Sequence, residues 1–431
     1  MRQRTLIFAA ALALCAPVQD VRGQAAPTRL TVADAEGLAH RNNPRVTIAR
    51  LDALASAQTT REVKSALYPS LAANLTGVAA HQGGRVTAGG LNNPVIYDRA
   101  AGGLVANQLI TDFGRTSNLV ATSELRAQAE DERAMATTAQ ILLAADRAFY
   151  GALGAQALLR VAQQTVAARR DVADRVQALA DSKLKSDLDA SFAQVNLAEG
   201  NLLLLDAESN EKAARADLSA VLGFSDLQNF ELVDENFASV APPADVEFLV
   251  AEALSRRPEV AALDLDARAA EKFHLAEKDL QLPNIRAAGV VGGAPYRNDI
   301  LSPWYGAIGI NVEIPIFNGF LFGARSAESD LRARAARERL NDLKNTVARD
   351  VRTSWLDASA AYARLAVSRR LLEQANLALS LAKTRYDLGL SSIVELSQAQ
   401  LQQTRAEIDD TEARYRYLMA EASLRYQVGG S

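Results

Sequence analysis

Residues able to do covalent chemistry are few in this chain and poorly spaced for it. His40, His81 and His274 sit in unlike contexts, without the i, i+4 pairing that places two imidazoles on one helix face, so no metal site is read from them. The glycine pairs Gly83-Gly84, Gly89-Gly90 and Gly102-Gly103 do not make a phosphate loop, and neither a Walker pattern nor Gly-x-Ser-x-Gly occurs. No acid, base and nucleophile converge by motif spacing, so the sequence supports neither an enzyme nor a resident cofactor. Two carboxylates do fall in matched settings: Asp189 follows Ser186, and Glu395 follows Ser392, each by three positions. That S-x-x-D/E spacing makes a capping box, useful at the start of any helix. The arginine run Arg332, Arg334, Arg337 and Arg339 could meet lipid phosphates but reads more simply as a solvated helix face.

The element that must position such residues is a stretch from Arg115 to about Ala180, rich in Ala and Leu and free of proline. As one helix it would reach ~100 Å, far more than a globular domain of this size needs. One apolar seam runs through Met135, Leu142, Ala145, Phe149, Ala152, Leu159 and Val166, another through Ile141, Ala148, Ala155, Ala162, Val172 and Val176. A helix with two seams has a neighbour on each side, which predicts a sheet or cylinder of helices.

Arg2 and Arg4 precede an apolar run from Leu6 to Ala16, with small residues at Gly23 and Ala25, the pattern of a signal peptide over residues 1–23. Cys15, the one cysteine, lies inside it behind Leu14, so the exported chain is expected to carry no thiol. The 47 basic and 51 acidic residues give a net charge of −4, and losing Arg2, Arg4, Arg22 and Asp20 takes it to about −6. That balance gives no footprint for nucleic acid.

From Thr31 the chain reads helix, Asn43-Pro44, helix, Tyr68-Pro69, strand, loop, strand, long helix, turn, return helix, Gly223. After a stretch holding Pro242 and Pro243 the pattern starts again. Asn43-Pro44 and Tyr68-Pro69 recur as Arg257-Pro258 and Leu282-Pro283, while Phe149, Ser186, Leu218 and Gly223 recur as Trp355, Ser392, Leu424 and Gly429. The expected organisation is a first structural repeat over 24–223, an equatorial linker over 224–245 and a second repeat over 246–431. The first strand-to-strand loop, Gly83 to Arg99, is about eight residues longer than the second and is expected outside the cell. Strand alternation is cleanest in the second copy, with Trp304, Gly306, Ile308, Ile310 and Val312 against Tyr305, Asn311 and Glu313. One face suits lipid and the other water. Four strands cannot close a membrane barrel alone, so the chain must oligomerise. The competing class is a periplasmic coiled-coil adaptor or scaffold never inserted in lipid, against which the paired amphipathic strands argue.

With these elements on the page, the chain resembles the TolC-type outer-membrane efflux proteins. The matching motifs are Leu38-Ala39 to Asn43-Pro44, Tyr68-Pro69, Leu109-Ile110-Thr111-Asp112-Phe113-Gly114-Arg115, Pro315-Ile316-Phe317-Asn318-Gly319 and Arg385-Tyr386-Asp387-Leu388-Gly389. The resemblance implies a mainly α, internally duplicated chain whose long hairpins form a periplasmic α-barrel and whose four strands join a trimeric twelve-stranded outer-membrane barrel. It also implies a passive exit duct for drugs, metals or secreted polypeptides, in a tripartite efflux or type I secretion system. The homotrimer would be docked by a periplasmic adaptor and driven by an inner-membrane transporter. By position after the tip, Glu395 and Gln398 match two acidic positions of the family's narrow periplasmic ring, and Tyr386 matches a tyrosine that ties neighbouring hairpins. Ser391 stands where the prototype has an arginine, and Gln398 is uncharged. Asp187 and Asp189 are the candidate partners on the first hairpin, with Lys183 and Lys185 near enough to replace the missing base.

Overall fold

Proline and small capping residues set the element boundaries. A computed structural model describes residues 28–79, 97–235 and 239–430. The expected signal peptide with Cys15, together with His81 and all but the end of the 83–99 loop, lies outside them. Helix α1 (Val32–Asn42) starts at Thr31, whose hydroxyl accepts from Asp34 N while the Asp34 carboxylate accepts from Thr31 N, both at 3.2 Å. Helix α2 (Pro44–Ser65) has proline in its first turn, where no N–H is needed, and ends before Tyr68-Pro69.

Strands β2 (Ser70–Val78) and β3 (Arg99–Thr111) follow, then helix α3 (Arg115–Asp181) and the return helix α4 (Asp187–Val221). The second half supplies α5 (Val246–Arg256), α6 (Pro258–Lys278), β5 (Asn284–Arg297), β6 (Trp304–Glu313), α7 (Leu321–Asp387) and α8 (Ile393–Gln427). Helices α3 and α7 are both 67 residues long, and α4 and α8 are both 35.

The four long strands form one antiparallel sheet in the order β2-β3-β5-β6. Its register carries the alternation across the sheet, because residues directly opposite share a face. Leu71 pairs with Ala106, Ala106 with Gly289 and Gly289 with Ile308, while Asn74 pairs with Gly103, Gly103 with Gly292 and Gly292 with Tyr305. Leu71, Leu75, Leu104, Val291 and Ile308 thus share an apolar, exposed face, and Ser70, Asn74, Asn107 and Tyr305 lie on the other. A Cβ on Gly103 or Gly292 would collide with the Tyr305 ring or hydroxyl, so the two central strands need glycine there for the tyrosine to lie across them.

The helices form a second layer. Helix α3 packs against α2 and α6 along one part of its length and against α4 and α8 along the other, and α7 continues the layer from α6 and α8. The shorter helices meet end to end beside the long ones. Asn43 makes the first joint: its Oδ1 accepts from Arg45 N at 3.0 Å, and its Nδ2 donates to Val221 O at 2.9 Å where α4 ends. At the second joint Arg257 offers no side-chain cap. Its guanidinium instead donates to Gln427 Oε1 at 2.6 Å, pairs with Glu259 and lies over the Tyr426 ring.

The remaining segments pack on one face of this layer as a belt. Short strands β1 (Thr28–Leu30) and β4 (Phe230–Leu232) pair in parallel there, and Leu30, Leu222 and Leu232 bury against Phe149 and Leu153 of α3. The sequence reading missed these strands, since three residues show no period and their partner lies some 200 positions away. Helix α5 covers Val347, Val351 and Ala358 of α7, and Trp355 Nε1 donates to Pro243 O at 2.7 Å. Met135, placed on an apolar seam, is half exposed because it borders an open recess beside Leu142.

Charge is also buried beside the belt. Asp146 accepts from Arg425 at 2.7 Å, while its Oδ1 has no donor and Glu36 of α1 faces it. Burial, then the Glu36 carboxyl, pushes Asp146 up to about 7 against the pull of Arg425. Tyr150, facing Asp146, Glu36, Glu421 and Arg425, is pushed up to about 12, chiefly by burial. A raised carboxyl pKa favours folding most below the free value of 3.8, and that contribution is lost as pH rises through about 7. The melting midpoint should therefore rise between about pH 8 and pH 6, and Asp146→Asn should remove that part of the rise. An identical pH profile in the variant would place the proton elsewhere.

Candidate functional site at the hairpin tips

Two helix-to-helix turns lie at the end of the molecule farthest along α3 and α7 from the sheet. Both long helices stop at a left-handed residue, Lys183 (φ 61°) in the first hairpin and Gly389 (φ 75°) in the second. In each turn the following N–H reaches back to the helix, Leu184 N to Leu179 O at 2.9 Å and Leu390 N to Arg385 O at 2.8 Å. Glycine takes this conformation freely, whereas lysine pays a steric cost.

The returning helices begin at Ser186 and Ser392, and here the two copies diverge. Ser186 and Asp189 complete a reciprocal box, with bonds of 3.1 Å and 3.2 Å. Ser392 Oγ accepts from Glu395 N at 3.4 Å, but the Glu395 carboxylate leaves the cap and pairs with Arg385 Nε at 3.3 Å. Both partners of that pair are exposed, so it adds little stability. Asp187 and Gln398 are exposed, and Asp187 lies in the first turn of α4.

Tyr386 is the buried member of the set. It packs with Val176, Ala190, Ile393 and Leu396, and Lys185 Nζ stands 4.2 Å from its ring centroid. That cation–π contact joins the two hairpins of one chain. Burial, then the nearby Asp189 and Asp387, raises the Tyr386 pKa. The hydroxyls of Tyr386 and Ser391 are both buried without a hydrogen-bond partner. A recess of about 450 Å³ opens beside Tyr386, lined also by Val176, Leu179, Lys185 and Leu396. Asn196 Nδ2 donates to Ser397 Oγ at 2.6 Å, a second tie between hairpins.

The structure thus brings Tyr386, Lys185 and Asp189 together and leaves Glu395 with Arg385. Arg385 was visible only as part of the tip motif, and Asn196–Ser397 carried no sequence signal. The Lys183 side chain is exposed and makes neither a hydrogen bond nor an ion pair among the described residues. Among the described residues no group of His, Cys, Asp and Glu could hold a metal, and His274 bonds Ser329 Oγ at 3.0 Å.

A four-stranded sheet with one apolar face, set on a double-length layer of helices, defines an outer-membrane channel fold. The chain belongs to the outer membrane efflux protein family, whose pattern matches residues 37–224 and 249–430. It is 23% identical over 335 residues to the outer membrane efflux protein BepC of Brucella suis biovar 1 (strain 1330), covering 76% of this chain and 71% of that one. Its fold is that of the outer-membrane channel OprN, with a TM-score of 0.82 at 17% identity over 93% of this chain and 90% of the other. It is equally that of CusC, with a TM-score of 0.81 at 19% identity over 96% and 97%.

Proposed function

We propose that three copies of this chain close into an exit duct: a twelve-stranded barrel in the outer membrane continued by a helical tunnel across the periplasm. The observation that carries this is a pair of matching open edges. The sheet ends at β2 and β6, and the helical layer ends on the same two sides, at α2 with α4 and at α7. An unpaired strand edge in lipid is untenable, and copies joined edge to edge remove it. Residues 24–223 and 246–431 act as two structural repeats joined by the linker 224–245. The belt occupies the outer wall, so the opposite face lines the passage.

The duct is passive and takes its energy from an inner-membrane transporter reached through a periplasmic adaptor. The hairpin tips form its periplasmic gate. Tyr386 and Lys185 hold the two hairpins of one chain together, Asp187 and Asp189 offer carboxylates to a neighbouring chain, and Ser391 and Gln398 line the same mouth. Glu395 supplies the charged ring. Three such carboxylates in a narrow mouth of lowered dielectric favour cations over anions.

Glu395→Gln tests the gate role, because Ser392 Oγ still accepts from the backbone N–H of residue 395 while the charge disappears. Single channels in a planar bilayer should lose much of their cation preference and their block by multivalent cations, with melting nearly unchanged. Unaltered selectivity in an assembled Glu395→Gln channel would reduce Glu395 to a helix-start residue.

A further inference from the structure

On the face opposite the belt, Arg147 of α3, Arg364 of α7 and Arg416 of α8 converge on one recess of about 430 Å³ between the helices. Their orientation follows from their neighbours. Phe149 is buried against the belt, and Arg147, two residues away, points roughly 200° round the helix from it. Arg414 and Tyr415 bond Asp234, and Tyr417 bonds Val240 O at 2.7 Å, so the belt side of α8 lies away from Arg416. On α7 the belt side is marked by Val351, Trp355 and Ala358, and Arg364 stands roughly 150° from their mean direction.

Among the described residues Arg339, Arg369 and Arg370 of α7, like these three, have no ion pair, while other arginines of that helix do. Arg332, Arg334, Arg337 and Arg352 of α7 each have a carboxylate partner. Arg364 and Arg416 have neither a hydrogen bond nor an ion pair among the described residues, and Arg147 bonds only Ser423 Oγ, at 2.9 Å. That bond holds its guanidinium over the recess. Asp357 is the single carboxylate lining the recess, so three positive charges face one negative.

We infer that this recess is a binding station for multivalent organic anions in transit, an inference that rests on the reading of this face as the passage wall. Guanidinium forks match carboxylate, phosphate and sulfonate oxygens, and a water-filled tunnel with protein walls strengthens the attraction over that in bulk water. Three copies would ring the tunnel at the level of the belt. The tip would then set the charge preference of the mouth, and this ring would hold an anionic cargo already inside.

Two experiments on the assembled protein in planar bilayers separate the inference from the reading beneath it. First, Arg416→Cys and Arg364→Cys, in the otherwise thiol-free mature chain, are exposed to a negatively charged methanethiosulfonate. A stepwise fall in conductance places both positions in the passage; no change removes the passage reading and the station with it. Second, pyrenetetrasulfonate is added at low salt to wild type and to Arg364→Gln/Arg416→Gln. We expect block of the wild type to weaken at least tenfold in the variant and to persist in Arg364→Lys/Arg416→Lys. Thiol modification with equal block in wild type and the Gln variant would keep the passage and overturn the anion station. Either single Gln change carries the same test if the pair does not assemble.

Discussion

Leu188→Glu combined with Leu202→Glu should leave the protein monomeric. Both leucines are more than 60% exposed in the single chain and belong to a stripe with Phe192, Val195 and Leu205 along α4. Their spacing of three, four and seven is that of a helix seam, yet within the chain α4 packs chiefly on α3, through its other side, and meets α8 through Asn196. Helix α7 shows a comparable stripe at Val367, Leu371 and Leu381, on the far edge of the layer. If α4 of one copy packs on α7 of the next, each glutamate buries a charge without a partner, costing on the order of 3–5 kcal/mol. The cost recurs at every interface of a closed ring. Crosslinking and detergent-resistant migration should both report single chains, whereas stable oligomers of ordinary melting behaviour would show that this stripe faces something else.

Phe149→Ala should be the most damaging truncation inside one chain. Its ring is fully buried, edge-on to Tyr150 at 5.7 Å, and it joins Leu30 and Leu222 of the belt to the midpoint of α3. Removing it deletes transfer energy and leaves a cavity that the surrounding long helices cannot collapse to fill, a loss of about 3–5 kcal/mol. A lower melting midpoint with the belt more open to protease is the expected outcome. A change below about 1 kcal/mol would mean that the belt is not anchored there.

Much of this architecture could be read from residue spacing because the chain repeats its punctuation. Pro44 and Pro258, Pro69 and Pro283, Ser186 and Ser392, and Gly223 and Gly429 each mark a helix start or stop by a local rule, and the paired hairpin helices have equal lengths. The strand faces were legible for the same reason, since Leu71, Leu75 and Ile308 alternate with polar or small residues and register carries the pattern sideways. What sequence could not supply were contacts between distant segments. The β1–β4 pairing, the Asn43 bond to Val221 and the Asp146–Glu36–Arg425 cluster depend on which elements meet, and no period announces them.

The tip illustrates the boundary between the two kinds of information. The S-x-x-D/E spacing fitted both hairpins equally, but only Asp189 closes the box with its carboxylate. Arg385, in the last turn of α7, draws Glu395 away. Lys183 and Lys185 were both candidates to replace the arginine absent at Ser391, and of the two Lys185 stands over the Tyr386 ring within one chain. The arginine recess had no signature at all, because Arg147, Arg364 and Arg416 come from three helices whose facing sides are fixed by the belt.

The central claim is that one chain is a third of a closed, conducting tube. The most direct measurement is native mass in detergent on the purified protein, with the same sample then placed in a planar bilayer. We expect a single species at three times the mass of the purified chain and discrete, ion-conducting channels from it. A stable monomer or dimer, or a trimer that never conducts, would contradict the account.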